Sequence, residues 1–537
     1  MEFIDLDKTA SYAKLLNHAL REYSFDYAKL DAGRVARCLI PAGGGLMYSW
    51  AAKAVDEPEI KLLQALADEQ DLIGKYRMLL DGEYMNTGEH RRVLHHLLRG
   101  RLGKPVIHQG KDLEQFYSGE LERVAAFADR VSGGELRGGS GKPFSAAVQI
   151  GIGGSDLGPR ALYLALENWA IASGRKNMDA AFISNVDPDD GAKVVSSLDL
   201  ERTLFILVSK SGTTQETLAN ELFVRDRLKK AGLDPAKHLV AITSETSPLA
   251  RNPAYLDSFY MDDFIGGRYS SSSPAGGVIL SLAFGSRSFR EFLDGAHEAD
   301  KLALESRVTE NASLLAALIG VWERNLMGYT ATAALPYSQA LSRFPAHLQQ
   351  LDMESNGKRV NRDGRPIAYA TGPLVFGEPG TNGQHSFYQL LHQGTDTVPL
   401  EFIGFLESQR GEDIEAEGST SQTKLKANLA AQIVAFARGR KLDHSQENFT
   451  REFPGGRPSS LIYGKKAEPR SLGALLAHFE NKVMFQGFLW NINSFDQEGV
   501  QLGKELTKKA LASGSRGSSG DSALDAYLKL LGIQEES

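Results

Sequence analysis

Along residues 204–217, LFILVSKSGTTQET, an unbroken apolar run gives way to hydroxyl residues, and Leu218, Leu222 and Leu228 then recur at helical spacing. The pattern predicts a strand, a short loop and a helix. The apolar runs at 146–150, 181–184, 204–209 and 239–242 each read as a strand, with helical stretches between them. Strands alternating with helices build a parallel sheet covered on both faces, and such sheets bind ligands beyond the carboxyl ends of their strands. Beyond Gly277 the pattern turns helical again, and a second sheet module is expected around 359–376. Residues 9–101 read as largely helical, with Gly and Pro punctuation near 41–45 and 82–88. The longest apolar stretch, 472–492, is interrupted by His478, Glu480, Asn481 and Lys482, which predicts a buried helix and no membrane span. The expected fold class is therefore α/β, with two doubly wound, mainly parallel sheets and additional helical N- and C-terminal segments.

The loop 209–214 carries the first candidate chemistry. The first turn of a helix leaves backbone N–H groups unpaired and partially positive, and hydroxyls beside it can surround a phosphate monoester with neutral donors. Ser, Thr and Gly also make ordinary turns and N-caps, so this run alone leaves both readings open. After the strand at 146–150 comes GIGGSDLGPRAL, where Gly151, Gly153 and Gly154 let the backbone approach a ligand and Ser155 adds a hydroxyl. A dinucleotide fingerprint would need a third glycine where Asp156 stands, and Asp187 comes too late for the ribose-binding acid by roughly ten residues. The Gly-rich stretch 132–143 fails as a nucleotide P-loop, because Leu136 replaces the first glycine and Pro143 the magnesium-binding hydroxyl.

Further along, Arg268 in GGRYSSSSPAGG has glycines before it, and its guanidinium suits an oxyanion or phosphate, although a lone loop arginine is ordinarily just a surface charge. Leu341, Phe344, Leu348 and Leu351 form one apolar face of a helix expected within 335–360, with Gln350 and Glu354 four apart at its end. His385 follows a Gly-rich turn, and seven helical residues, about 10.5 Å of rise, separate it from His392, too far to share a metal. His392 reads as a packing residue. His90, His95 and His96 are spaced by five and six, which suits packed or solvated imidazoles better than ligands of one ion.

Composition narrows the picture. At 537 residues the chain exceeds one ordinary core. A net charge of -7 and a pI near 6.0 argue against nucleic-acid binding. Cys38 is the single cysteine, so no disulfide framework or multi-thiolate zinc site is expected, and a reducing cytoplasm fits. The N-terminus MEFIDLDKTASYAKLL has no sustained apolar core and does not read as a secretory signal.

Four strings then stand in one order: SKSGTTQET, GGRYS, LDMESNGK and FQGFLWNINSFDQEGVQLGKEL at 485–506. Together they resemble the phosphoglucose isomerase family of the sugar-isomerase superfamily. The resemblance implies a helical segment over 1–108, a small sugar-isomerase domain over 109–285, a large one over 286–505 and a helical tail over 506–537. It implies reversible interconversion of D-glucose 6-phosphate and D-fructose 6-phosphate, in glycolysis and gluconeogenesis, through ring opening and a cis-enediolate. Ser155, Ser209, Ser211 and Thr214 would hold the phosphate with Lys210 nearby, and Gly154, Gln350 and Gln497 would also contact substrate. His385 and Lys504 would open the ring, Glu354 would move the proton between C2 and C1, and Arg268 would stabilise the developing charge. No metal and no cofactor is implied. The expected partners are the sugar phosphate and a second copy of the chain, with His385 donated across a homodimer interface. One departure from the family is Gln501, which replaces a glutamate three residues before Lys504 and so alters that lysine's surroundings.

Overall fold

In the computed structural model, which describes residues 2–442, 449–513 and 518–533, the apolar runs become two sheets. Both lie in one compact unit, residues 1–494. Leu39–Gly43 (β1) and Leu46–Ser49 (β2) form a hairpin. Ala146–Ile150 (β3), Asp179–Ile183 (β4), Thr203–Val208 (β5), Leu239–Thr243 (β6) and Asp257–Tyr260 (β7) form a five-stranded sheet in the order β4-β3-β5-β6-β7, parallel throughout. Ala331–Tyr337 (β8), Leu374–Phe376 (β9), Leu400–Phe405 (β10) and Ser459–Gly464 (β11) join the hairpin in a six-stranded sheet, β1-β2-β11-β10-β8-β9. Its β11, β10, β8 and β9 run parallel, and the hairpin adds the antiparallel edge.

Every residue of β5 and β6 is buried, as a sheet covered on both faces requires. Phe205, Leu207, Leu239 and Ala241 pack with Val224 and Leu228 of helix Gln215–Lys230. Helix Pro274–Phe284, buried along its length, packs against β3 and β4. In the second sheet, Ala333, Leu335, Leu400 and Phe402 pack with Leu429 and Phe436 of helix Ser421–Arg438. Each Leu or Phe so buried contributes roughly 1.5–3 kcal/mol.

Three expectations change. Residues 39–49 are strands within the segment read as helical: Ile40, Ala42, Leu46 and Tyr48 alternate inward, and Gly43, Gly44 and Gly45 turn the chain with φ of 86°, 57° and 76°. That hairpin carries the second sheet into the span 1–108. The second sheet's strand β8 begins well before residue 359, in an Ala-rich run whose composition favours helix; its pairing with β9 on one side and β10 on the other overrides that propensity. The helix of 335–360 correspondingly begins only at Phe344.

Pro469–Leu489 is the expected buried helix, and the four polar residues that interrupt it are each partnered. Glu480 pairs with Arg99, Lys482 with Glu401, Asn481 donates to Asp300 at 2.9 Å, and His478 lies 3.2 Å from Ser313 Oγ. Among the described residues, no helix is long and apolar enough to cross a membrane. The second compact unit, residues 495–537, holds helices Gln501–Ser513 and Ser522–Leu530, the latter capped by Asp521, which accepts from the Ala523 and Leu524 amides. The first of these helices runs unbroken through the boundary expected at 505/506.

Candidate active site

From β3 the chain moves to β4 on one side and then crosses to β5 on the other, so the loops leaving β3 and β5 diverge at a topological switch point. Ligand crevices in such sheets form there, at the carboxyl ends of the strands. Both Gly- and hydroxyl-rich loops leave from this position.

The loop after β3 is pressed against two other segments. A Cβ on Gly154 would lie 2.2 Å from the Gly267 carbonyl, so only glycine lets this loop meet the turn that carries Arg268. Gly153 has φ of 60°, and a Cβ there would lie 3.2 Å from the Gln350 amide nitrogen. The Gln149 amide donates to the Ser155 carbonyl at 2.7 Å and fixes the end of the loop.

In the loop after β5, Ser209 is buried and its Oγ lies 3.1 Å from Thr214 Oγ1 while accepting from the Gly212 amide at 3.1 Å. Thr243 donates to the Ser209 carbonyl at 2.8 Å. Ser211 is exposed and accepts from the amide and hydroxyl of Thr213. Thr214 precedes helix Gln215–Lys230, yet its hydroxyl makes no cap bond to that helix. The hydroxyls of Ser209 and Ser211 thus serve the turn, while the capping alternative is not taken up at Thr214. Lys210 turns toward the Arg268 segment: its Nζ donates to the Ile265 carbonyl at 3.2 Å and lies 3.6 Å from Asp263, and burial lowers its pKa.

Arg268 sits in the 3-10 turn Gly267–Ser272 and is only 2% exposed, the reverse of a surface loop arginine. Its Nη1 lies 3.6 Å from Glu354 Oε1. Glu354 ends a π-helical turn, Gln350–Glu354, that widens the helix begun at Phe344, and such turns concentrate at functional sites. Gln350 and Glu354, four apart, share one face, with Gln350 at the first loop and Glu354 at Arg268. The structure thus brings Gly154, Gln350, Arg268 and Glu354 into one constellation, with Lys210 reaching toward it from the second loop.

His385 stands apart. It ends the 3-10 turn Asn382–His385 ahead of helix Tyr388–Gln393, is exposed, and has no described contact with Glu354. His392 is stacked on Phe436 at 3.7 Å, as a packing residue. His95 and His96 are buried, and His90 is stacked on Tyr84 at 4.6 Å. Gln497 and Lys504 belong to the second unit, where both are exposed; Lys504 lies in the first turn of Gln501–Ser513, three residues after Gln501. Tyr269, Ser355 and Ser494, which lie around Arg268, are not singled out by the sequence pattern. Tyr269 and Ser355 lie inside the strings GGRYS and MESNGK, directly beside Arg268 and Glu354, which was the available signal.

Parallel strands with anion-ready loops at a switch point, joined to a guanidinium and a carboxylate, define an α/β protein of the sugar-isomerase type. Comparison with known proteins agrees. The family described as phosphoglucose isomerase matches residues 49–527. A glucose-6-phosphate isomerase of Treponema denticola is 59% identical over 519 residues, covering 95% of this chain and 97% of the relative. One of Treponema pallidum subsp. pallidum is 61% identical over 519 residues, covering 95% and 96%. The crystal structure of a glucose-6-phosphate isomerase from Chlamydia trachomatis D/UW-3/Cx superposes with a TM-score of 0.90 at 42% identity, over 99% of this chain and 100% of that one. The chain belongs to the phosphoglucose isomerase family.

Proposed function

We propose that this protein is a cytoplasmic, homodimeric isomerase that interconverts D-glucose 6-phosphate and D-fructose 6-phosphate. The observation that carries the reading is the meeting of a buried guanidinium and a carboxylate, Arg268 and Glu354, beside phosphate-ready loops at the sheet's switch point. Ser155, Ser209, Ser211, Thr214 and the first-turn amides hold the phosphate, and Gln350 reaches the same loop. His385, from the second copy of the chain, and Lys504 move protons between the ring oxygen and the C1 hydroxyl to open the ring. Glu354 takes the proton from C2 of the open aldose and returns it to C1 while the O2 hydroxyl proton passes to O1, and Arg268 stabilises the negative charge that gathers on the oxygens of the cis-enediolate. Gln497 contacts the sugar. A carboxylate base, a cation and a phosphate anchor suffice for this chemistry, so no step calls on a metal or redox cofactor.

The test is a coupled assay with glucose 6-phosphate in excess EDTA. Full turnover is expected. Tight binding of hexose phosphate without turnover would instead make the chain a phosphosugar sensor, and activity lost to EDTA and restored by a divalent ion would refute the metal-free route. Competition with mannose 6-phosphate tests whether the site also accepts the C2 epimer.

A further inference from the structure

Resting on that reading, we infer that Ser355 and Tyr269 are positioning residues that hold the Arg268 guanidinium off Glu354 and aim it at the substrate oxygens. Arg268 Nε donates to Ser355 Oγ at 2.6 Å, and Nη2 donates to the Ser494 carbonyl at 2.7 Å. Nη1 is left 3.6 Å from Glu354 Oε1, well beyond the roughly 2.7–2.9 Å of a closed guanidinium–carboxylate bond. The Tyr269 hydroxyl completes the clamp, lying 3.0 Å from Ser355 Oγ and 3.4 Å from the Ser494 carbonyl, the two acceptors that Arg268 uses.

The clamp is itself anchored. Ser355 is fully buried and follows Glu354 in the chain, so one hydroxyl ties the cation to the peptide unit beside the base. Ser494 Oγ donates to Asn356 Oδ1 at 2.6 Å, and Asn356 donates to the Val483 carbonyl at 3.1 Å. The Tyr269 ring is stacked on His95 at 4.7 Å with 22° between planes. Arg99, at the end of the His95–Leu98 turn, donates to Ser272 Oγ at 3.0 Å and so holds the far end of the turn that carries Arg268.

The consequence is chemical. A guanidinium free to swing would close on the nearest carboxylate, which both engages the base and removes the cation from the oxygen where charge develops. Occupying Nε and Nη2 prevents that collapse without neutralising Arg268, because a hydroxyl and a carbonyl carry no net charge. The cation is pre-organised, and misplacement of a catalytic group by about 1 Å can cost on the order of a hundredfold in rate.

The experiment is steady-state kinetics with fructose 6-phosphate on Ser355→Ala, Ser355→Thr, Tyr269→Phe and Arg268→Lys, with folding checked by thermal melts. Ser355→Ala should lower kcat by about ten- to a hundredfold while KM stays within about twofold, since the phosphate loops are untouched. Ser355→Thr, which keeps the hydroxyl, should restore most of kcat. Tyr269→Phe keeps the ring stacked on His95 and should lower kcat less, in the same direction; it carries the test if Ser355→Ala does not fold. In the double variant with Arg268→Lys, Ser355→Ala should add little further loss, because both act through one group. A normal kcat in Ser355→Ala or, where that variant does not fold, in Tyr269→Phe overturns the inference, as does a loss expressed in KM or one additive with Arg268→Lys. Wild-type turnover alongside any of those results leaves the isomerase reading standing, whereas a wild type that never isomerises hexose phosphate sinks both.

Discussion

At the scale of single residues, the proposed reaction gives Glu354 the chemistry and Thr214 the binding, and kinetics can test that division. Removing a proton from carbon beside a carbonyl needs a base on one face of the open sugar. Glu354→Gln keeps the size and hydrogen bonding of that group but cannot accept the proton. Its kcat should fall by about a hundred- to ten-thousand-fold while affinity for the phosphate changes little. In heavy water the wild type should place solvent deuterium at C1 or C2, because a carboxyl proton exchanges during the enediolate's lifetime; transfer without any exchange would point to a hydride shift and remove Glu354 from the role. Thr214 is the converse case. Its hydroxyl is turned to Ser209 at 3.1 Å and makes no cap bond, so it is available to a dianion at little cost to the helix. Thr214→Val should weaken binding of fructose 6-phosphate by about 1.5–3 kcal/mol, the worth of a hydrogen bond to a charged group, with kcat nearly unchanged. Unaltered affinity would take the second loop out of the site.

At the scale of elements, the π-helical turn Gln350–Glu354 lifts Glu354 toward Arg268 and at the same step drives Asp352 into the core, where its Oδ1 has no hydrogen-bond partner among the described residues. Burial raises the Asp352 pKa to about 6, with Lys482 opposing the rise and Glu401 reinforcing it. Between the unfolded value of 3.8 and about 6 the folded state binds more protons than the unfolded one, so this group's stabilising contribution is complete below 3.8 and is lost as pH rises through 6. Asp352→Asn removes the titration. The unfolding free energy of the variant relative to wild type, from denaturant titrations, should therefore rise from pH 4 to pH 7, by an upper limit of roughly 3 kcal/mol; a difference that is flat with pH would mean that Asp352 ionises as easily folded as unfolded. The same turn shows what a sequence does and does not display. The hydroxyl loop is legible because its groups are contiguous and follow an apolar run, and the buried helix Pro469–Leu489 is legible because four polar residues interrupt a stretch too long for solvent. The hairpin 39–49 hides behind three glycines, and β8 hides behind alanine. The meeting of Arg268 with Ser355 and Ser494 is invisible for another reason: they come from 87 and 226 residues away, and no local pattern encodes such a contact.

At the scale of the whole molecule, the proposed reaction pairs Glu354 with His385 as the group that opens the ring. His385 is exposed on its 3-10 turn and has no described contact with Glu354, although the family resemblance assigns both to one site. An exposed imidazole on one copy and an incomplete site on another are reconciled if a symmetric dimer exchanges them, each subunit lending its histidine to its neighbour. The exposed side chains of Leu374 and Leu390, on the same stretch of chain as His385, supply apolar surface of the kind that such an interface covers. Mixing tests the arrangement directly. In a mixed dimer of Glu354→Gln and His385→Ala subunits, one site receives the intact glutamate of one chain and the intact histidine of the other, while the second site carries both defects. Each variant alone should be nearly inactive, and activity should appear as the subunits exchange, on the timescale of dimer dissociation. If the histidine instead served its own subunit, every site in the mixture would keep one defect and no activity would return. Sedimentation supplies an independent check: a monomer with full activity is incompatible with a histidine donated from a partner.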